Sequence, residues 1–122
     1  MEQSLFFFTS LLIFIGALLR FVISKLFSFS LYSWGTLVVN TLACLLMGLC
    51  LALSLMHTLD TKLLTPIYGL LGALSTFSTF SHDTLMLYRN NGILLAAINI
   101  FANIFLGLAS FALGFFSVVY FL

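Results

Sequence analysis

Gly72-Ala73-Leu74-Ser75-Thr76-Phe77-Ser78-Thr79-Phe80-Ser81 is the stretch on which the reading of this chain turns. Five of its ten residues carry hydroxyls, and two phenylalanines stand three apart among them. In water such a run would pass for an edge strand or a turn. Here it lies inside an apolar segment of a chain that is 63% hydrophobic and only 6% charged over 122 residues, a composition outside the soluble globular range. Polar groups held at membrane depth need partners, so this run marks a site.

Working outward, apolar stretches occur near 4–23, 34–56, 64–87 and 93–122, and each meets the requirement of about 20 residues for a helix that crosses a bilayer. The expected fold is therefore an all-α membrane protein: a single transmembrane domain over 1–122 with four helices, the third interrupted. The first stretch has neither a basic leader nor a small-residue cleavage site and reads as a retained helix rather than a signal peptide. A net charge of +1 offers no basic field for nucleic acid. Cys44 and Cys50, six apart on one helix, face different sides and read as unpaired packing residues. No nucleophile with a base, metal cluster or cofactor loop is apparent, and His57 and His82 stand near segment ends as interfacial residues, so an enzyme is not expected.

Small and polar residues recur along the second and fourth segments. Thr36, Asn40, Cys44 and Gly48 repeat every four residues, and Asn99, Asn103, Gly107, Ser110 and Gly114 follow at steps of 4, 4, 3 and 4. Each set forms one helix stripe that should face protein rather than lipid. Asn40 is either interhelical glue or an anion donor on this evidence. Gly16 and Arg20 share a face of the first segment, with Arg20 either snorkelling to the interface or entering a vestibule. The connector 24–33 suits a short amphipathic piece near the headgroups. Residues 57–65 read as a loop, with Pro66 in the first turn of the third helix.

Glycines and hydroxyl residues between Gly69 and Ser81 permit a break in the third helix, which a bilayer tolerates only where the backbone is buried in protein or lines a cavity. The polar inventory is amides, hydroxyls and aromatic edges, while Glu2, Asp60 and Asp83 are terminal or near loops. Amide and hydroxyl hydrogens and the rims of phenyl rings all present positive potential, which suits a small anion. A fixed cation would hold it too tightly, whereas weak serial sites allow conduction.

Three motifs then stand in order: Gly16-Ala17-x-x-Arg20-Phe21, Gly35-Thr36-Leu37-x-Val39-Asn40, and Gly69-x-x-Gly72 leading into Thr76-Phe77-Ser78-Thr79-Phe80-Ser81. With these the chain resembles the Fluc (CrcB) fluoride channels along essentially its whole length. The resemblance implies an antiparallel, inverted dimer of four-helix subunits in a bacterial inner membrane, passing fluoride passively out of the cytoplasm and so relieving its toxicity. Fluoride enters acidified surroundings as neutral HF and ionises inside, and a negative-inside potential then expels it through a pore. By the same resemblance Phe77 and Phe80 are the pore phenylalanines, Asn40 the pore amide, and Ser78 and Thr79 hydroxyl donors. Arg20 becomes a vestibule residue, and carbonyls of Gly72 and Ser75 from both subunits hold a structural sodium ion. Asp83 stands where the family has Glu. Asn99 and Asn103 stand in the pore track where the family has Tyr and Ser.

Two alternatives follow from the departures. Arg20, Lys25 and Arg89 against Lys62 weight the positive-inside rule towards an outside N-terminus. An oriented or non-conducting subunit of a heterodimer, paired with a paralogous chain, therefore competes with the homodimer. A small multidrug-type four-helix transporter has similar length but needs an in-membrane Glu that this sequence lacks.

Overall fold

The computed structural model describes residues 2–28 and 32–122, and its described residues fold into five helices and no strand. They are α1 (Glu2–Leu26), α2 (Trp34–Leu55), α3 (Thr61–Leu74), α4 (Phe77–Asn91) and α5 (Ile93–Phe121). With α3 and α4 taken together as Lys62–Asn91, four spans are long and apolar enough to cross a membrane. The four-helix reading with an interrupted third helix holds.

Two boundaries differ from expectation for local reasons. The first helix runs through Ser24 and Lys25 to Leu26, so these belong to the span rather than to a separate amphipathic piece, the rest of which includes residues 29–31 outside the described set. The third helix begins at Thr61, because the Asp60 side chain accepts the Lys62 N–H at 3.0 Å and caps the first turn. Pro66 consequently lies inside α3 instead of in its first turn, and the carbonyl of the exposed Lys62 loses its helical donor there.

Helix α2 is the hub, the one helix that touches all four others among the described residues. α3 packs on α1 and α4 packs on α5, so the break hands the third span from one side of α2 to the other. The apolar core sits at the α2–α3 contact, where Val39, Ala43, Leu71 and Leu74 are buried beneath Ile23, Met47 and Ile67. The outer surface is apolar as well, with Phe7, Phe14, Phe101, Phe105 and Leu108 among its most exposed side chains. That inversion of the usual pattern fits hydrocarbon as the solvent.

Both small-residue stripes face protein. Gly48 abuts the Phe111 carbonyl, Gly114 abuts the Leu45 carbonyl, and a Cβ at Gly107 would touch Cys44 Sγ at 3.5 Å. In a bilayer, where helices gain no hydrophobic advantage by leaving lipid, such close backbone approach supplies the van der Waals attraction that holds α2 to α5. Gly92 closes the α4–α5 turn at φ 88°, a conformation that side chains rarely adopt. Gly114→Leu should drive a side chain into the α2 backbone and destabilise the fold by about 1–3 kcal/mol or more. Thermal unfolding in detergent reads this directly, and an unchanged midpoint would show that the α2–α5 approach is dispensable.

Candidate functional site

Between α3 and α4 two residues leave helical geometry: Ser75 (φ −74°, ψ 157°) and Thr76 (φ −152°, ψ 125°) are extended. The Thr76 hydroxyl caps α4 by accepting the Thr79 N–H at 3.2 Å. Its backbone groups find their partners on α2. The Thr76 N–H donates to Asn40 Oδ1 at 2.8 Å, and Asn40 Nδ2 donates to the Thr76 carbonyl at 3.3 Å. Asn40 thus takes the backbone N–H that the break leaves over and adds a second bond to the carbonyl that opens α4, which meets the condition for a break at membrane depth.

The second hydrogen of Asn40 goes to Asn103 Oδ1 at 3.0 Å. Asn103 Nδ2 in turn reaches the Asn99 carbonyl at 3.0 Å and Asn99 Oδ1 at 3.1 Å. Asn99 Nδ2 donates to Thr84 Oγ1 at 2.8 Å, and the Thr84 hydroxyl donates to the Phe80 carbonyl at 2.7 Å. A directed string of hydrogen bonds therefore runs from the break, across α2 and α5, back to α4 one turn later.

The turn between those two anchor points carries the aromatic pair. Phe77 and Phe80 lie with ring centroids 5.4 Å apart and planes tilted by 54°. Phe77 is 79% exposed, and both rings border an open groove of about 770 Å³ between α4 and α5, with Thr84, Tyr88, Ala97 and Ile100 along its walls. Ser78 shares a hydrogen bond with the Thr76 hydroxyl at 3.1 Å, and Thr79 accepts one from it at 3.2 Å. The ring edges present positive potential without a formal charge, beside a turn whose hydroxyls bond largely to one another and to backbone.

A smaller polar pocket of about 250 Å³ opens between α1, α2 and α4, where Lys25, Tyr32, Thr36, Thr79 and Asp83 meet. The Thr36 hydroxyl donates to Asp83 Oδ2 at 2.6 Å, and the exposed His82 ring lies 3.3 Å from Asp83 Oδ1. Burial pushes the Tyr32 phenol up, so it stays neutral at physiological pH. Arg20 is not part of this pocket: its guanidinium turns inward and donates to the Ser75 carbonyl at 3.4 Å, and Lys25 supplies the pocket's cation.

The residues singled out in the sequence thus divide into three groups. Phe77 and Phe80 share the open groove, and Ser78 and Thr79 lie on the same turn. Asn40, Asn99 and Asn103 are joined to one another inside the subunit, with Asn99 fully buried and Asn103 only 9% exposed. Gly72, Ser75 and Arg20 gather at the end of α3. Thr76 and Thr84 were passed over, although the Thr76-x-x-Thr79 spacing is that of a helix cap and was legible. Thr84, one turn beyond Phe80, gave no signal apart from its contact with Asn99.

The family model described as CrcB-like protein, Camphor Resistance (CrcB), matches residues 7–115. The chain belongs to this family. Among its relatives, proteins named fluoride-specific ion channel FluC from Shewanella sp. (strain ANA-3) and Shewanella baltica (strain OS185) are 44% and 43% identical over 105 residues, covering 82% of this chain and 84% of theirs. A protein of the same name from Shewanella halifaxensis (strain HAW-EB4) is 42% identical over 94 residues, 74% of this chain and 76% of its own. The match to the CrcB family takes in most of α1, all of α2 to α4 and most of α5, so the broken span and both polar stripes fall inside it.

Asn40→Leu should strand the Thr76 N–H away from water at a cost of about 1–3 kcal/mol, while the Thr76 carbonyl keeps its place in the first turn of α4. Denaturant unfolding in micelles is expected to fall by an amount in that range, and equal stability would mean that Thr76 finds other partners.

Proposed function

We propose that this chain is one subunit of a passive fluoride channel, a multi-pass membrane protein whose pore runs past Phe77 and Phe80. The observation that carries this reading is the pair of phenylalanine rings on a pinned turn beside a broken helix, open to a groove, in a chain of the CrcB family. Ring edges and the hydroxyls of Ser78 and Thr79 replace part of a small anion's hydration by weak contacts, and weak contacts let it leave as readily as it enters. The relatives' name supplies fluoride as the ion.

The working unit is an inverted dimer of this chain. Phe77 is exposed in the single subunit, and a Cβ at Gly72 would meet nothing within 4 Å, so the break presents an uncovered face to a second copy. With Arg20 drawn to the break, the charges left to bias insertion are Lys25 and Arg89 against Lys62. That is a smaller asymmetry than three to one, so the bias against insertion in both directions is weaker.

The Gly72 carbonyl fits a sodium ion by its chemistry, whereas the Ser75 carbonyl already accepts from the Arg20 guanidinium at 3.4 Å and would share its lone pairs between two cations. The Thr76 N–H, which would bond the Gly72 carbonyl in an unbroken helix, is given to Asn40 instead. The Gly72 carbonyl keeps only a long contact from the Ser75 hydroxyl at 3.4 Å. Neutral carbonyl oxygens at a freed helix end are hard donors suited to a hard cation, which there tightens the contact between two subunits.

Purified protein in liposomes is expected to release fluoride, followed with an ion-selective electrode, and an intact dimer without flux would overturn the channel reading. Phe77→Ile and Phe80→Ile should each abolish flux while the dimer persists; unchanged flux would remove the ring-edge contact. Replacing sodium by N-methylglucamine during purification should loosen the dimer on size exclusion, because a ligand bound only to the assembled state stabilises it by mass action. A dimer indifferent to sodium would remove the cation from the proposal.

A further inference from the structure

We infer that Asn103 is a positioning residue, which holds the Asn40 amide against Thr76 and thereby fixes the turn that carries Phe77 and Phe80. The direction of the string is set at its first member. A backbone N–H only donates, so the atom of Asn40 facing Thr76 is its oxygen, and the amide nitrogen must point to the Thr76 carbonyl and to Asn103. Asn103 meets that nitrogen with its oxygen, which leaves its own nitrogen for the two Asn99 oxygens.

Reversing Asn103 would set nitrogen against nitrogen at one end and oxygen against oxygen at the other. The network has one self-consistent orientation, and Asn103 is the member that transmits it from α2 to α5. At the far end Asn99 and Thr84 carry it to the Phe80 carbonyl, so the turn 76–80 is gripped at both ends by one string.

Two consequences separate this role from that of an ion ligand. Both hydrogens of Asn40 and both of Asn103 are taken by protein oxygens within the subunit. Neither amide borders the groove that Phe77 and Phe80 line. Asn103 therefore acts on conduction through Asn40 and Thr76. Only this link to conduction rests on the proposed channel function.

The test is hydrogen exchange at the Thr76 amide, followed by NMR on the full-length chain in micelles, in wild type, Asn103→Leu and Asn103→Asp. Leucine keeps the volume and removes the oxygen; aspartate in its protonated form keeps an oxygen to take the Asn40 hydrogen and an O–H to give to Asn99. Thr76 exchange should accelerate about ten-fold or more in the leucine variant, with the Val39 and Ala43 amides unchanged, and stay within about three-fold of wild type in the aspartate variant. No acceleration with leucine overturns the inference. Equal acceleration in both variants also overturns it, since the accepting oxygen would then not be what matters. Should the leucine variant fail to fold, Asn103→Ala takes its place.

In liposomes the leucine variant is expected to pass fluoride about ten-fold more slowly than wild type, and equal flux would overturn the link to conduction. Wild-type protein without fluoride flux would remove the proposed function, and the exchange rates would still decide the role of Asn103.

Discussion

A backbone cannot stop being helical inside a bilayer unless something replaces the hydrogen bonds it gives up. In this protein the replacement is the side-chain amide of Asn40, which takes the N–H of Thr76 and returns a hydrogen to its carbonyl. The rest of the architecture follows from that pair. Because Thr76 is satisfied from α2, α3 can end at Leu74 and α4 can start at Phe77 in a new direction. Two half-spans then pack on different neighbours, one on α1 and one on α5. A continuous helix would have kept its backbone bonds to itself and left no freed carbonyls and no helix start at mid-membrane.

The polar groups at the break do two kinds of work, separated by their location. Inside the bundle, amides bond to amides and to backbone, and buried groups of this sort confer order because each is costly to leave unpaired. On the open side, the edges of the exposed Phe77 ring and the half-buried Phe80 ring form a surface of mild positive potential with no fixed cation. The cations lie to either side, Arg20 on the carbonyl end of α3 and Lys25 in the pocket with Asp83. Such a division keeps strong charges out of the aromatic groove.

Bilayer chemistry also explains how a chain with so thin a core stays folded. α1 buries only Gly16 fully, and its phenylalanines look outward to hydrocarbon. Glycines supply the contact instead: Gly16 meets the Leu70 carbonyl, as Gly48 and Gly114 meet theirs across α2 and α5. Packing of this kind depends on shape rather than on transfer from water, which is why stripes of small residues carry more information here than apolar residues do.

Hydropathy and spacing alone determined the four spans, the stripes of small residues facing protein and an interruption somewhere between Gly69 and Ser81, because in a bilayer an apolar run has few ways to fold and a polar interruption must be satisfied. Motif order led to the CrcB family. The helix start at Asp60 was also present in the sequence, as a capping residue that the proline overshadowed. Only the tertiary structure decided that Arg20 turns inward to Ser75, that Asn40 serves Thr76, and that Asn99 and Asn103 belong to its support. A side-chain amide carries a donor and an acceptor at once, and sequence is silent on which neighbour takes each. That choice is made by the backbone groups a break leaves exposed, and these exist only once the helices have packed.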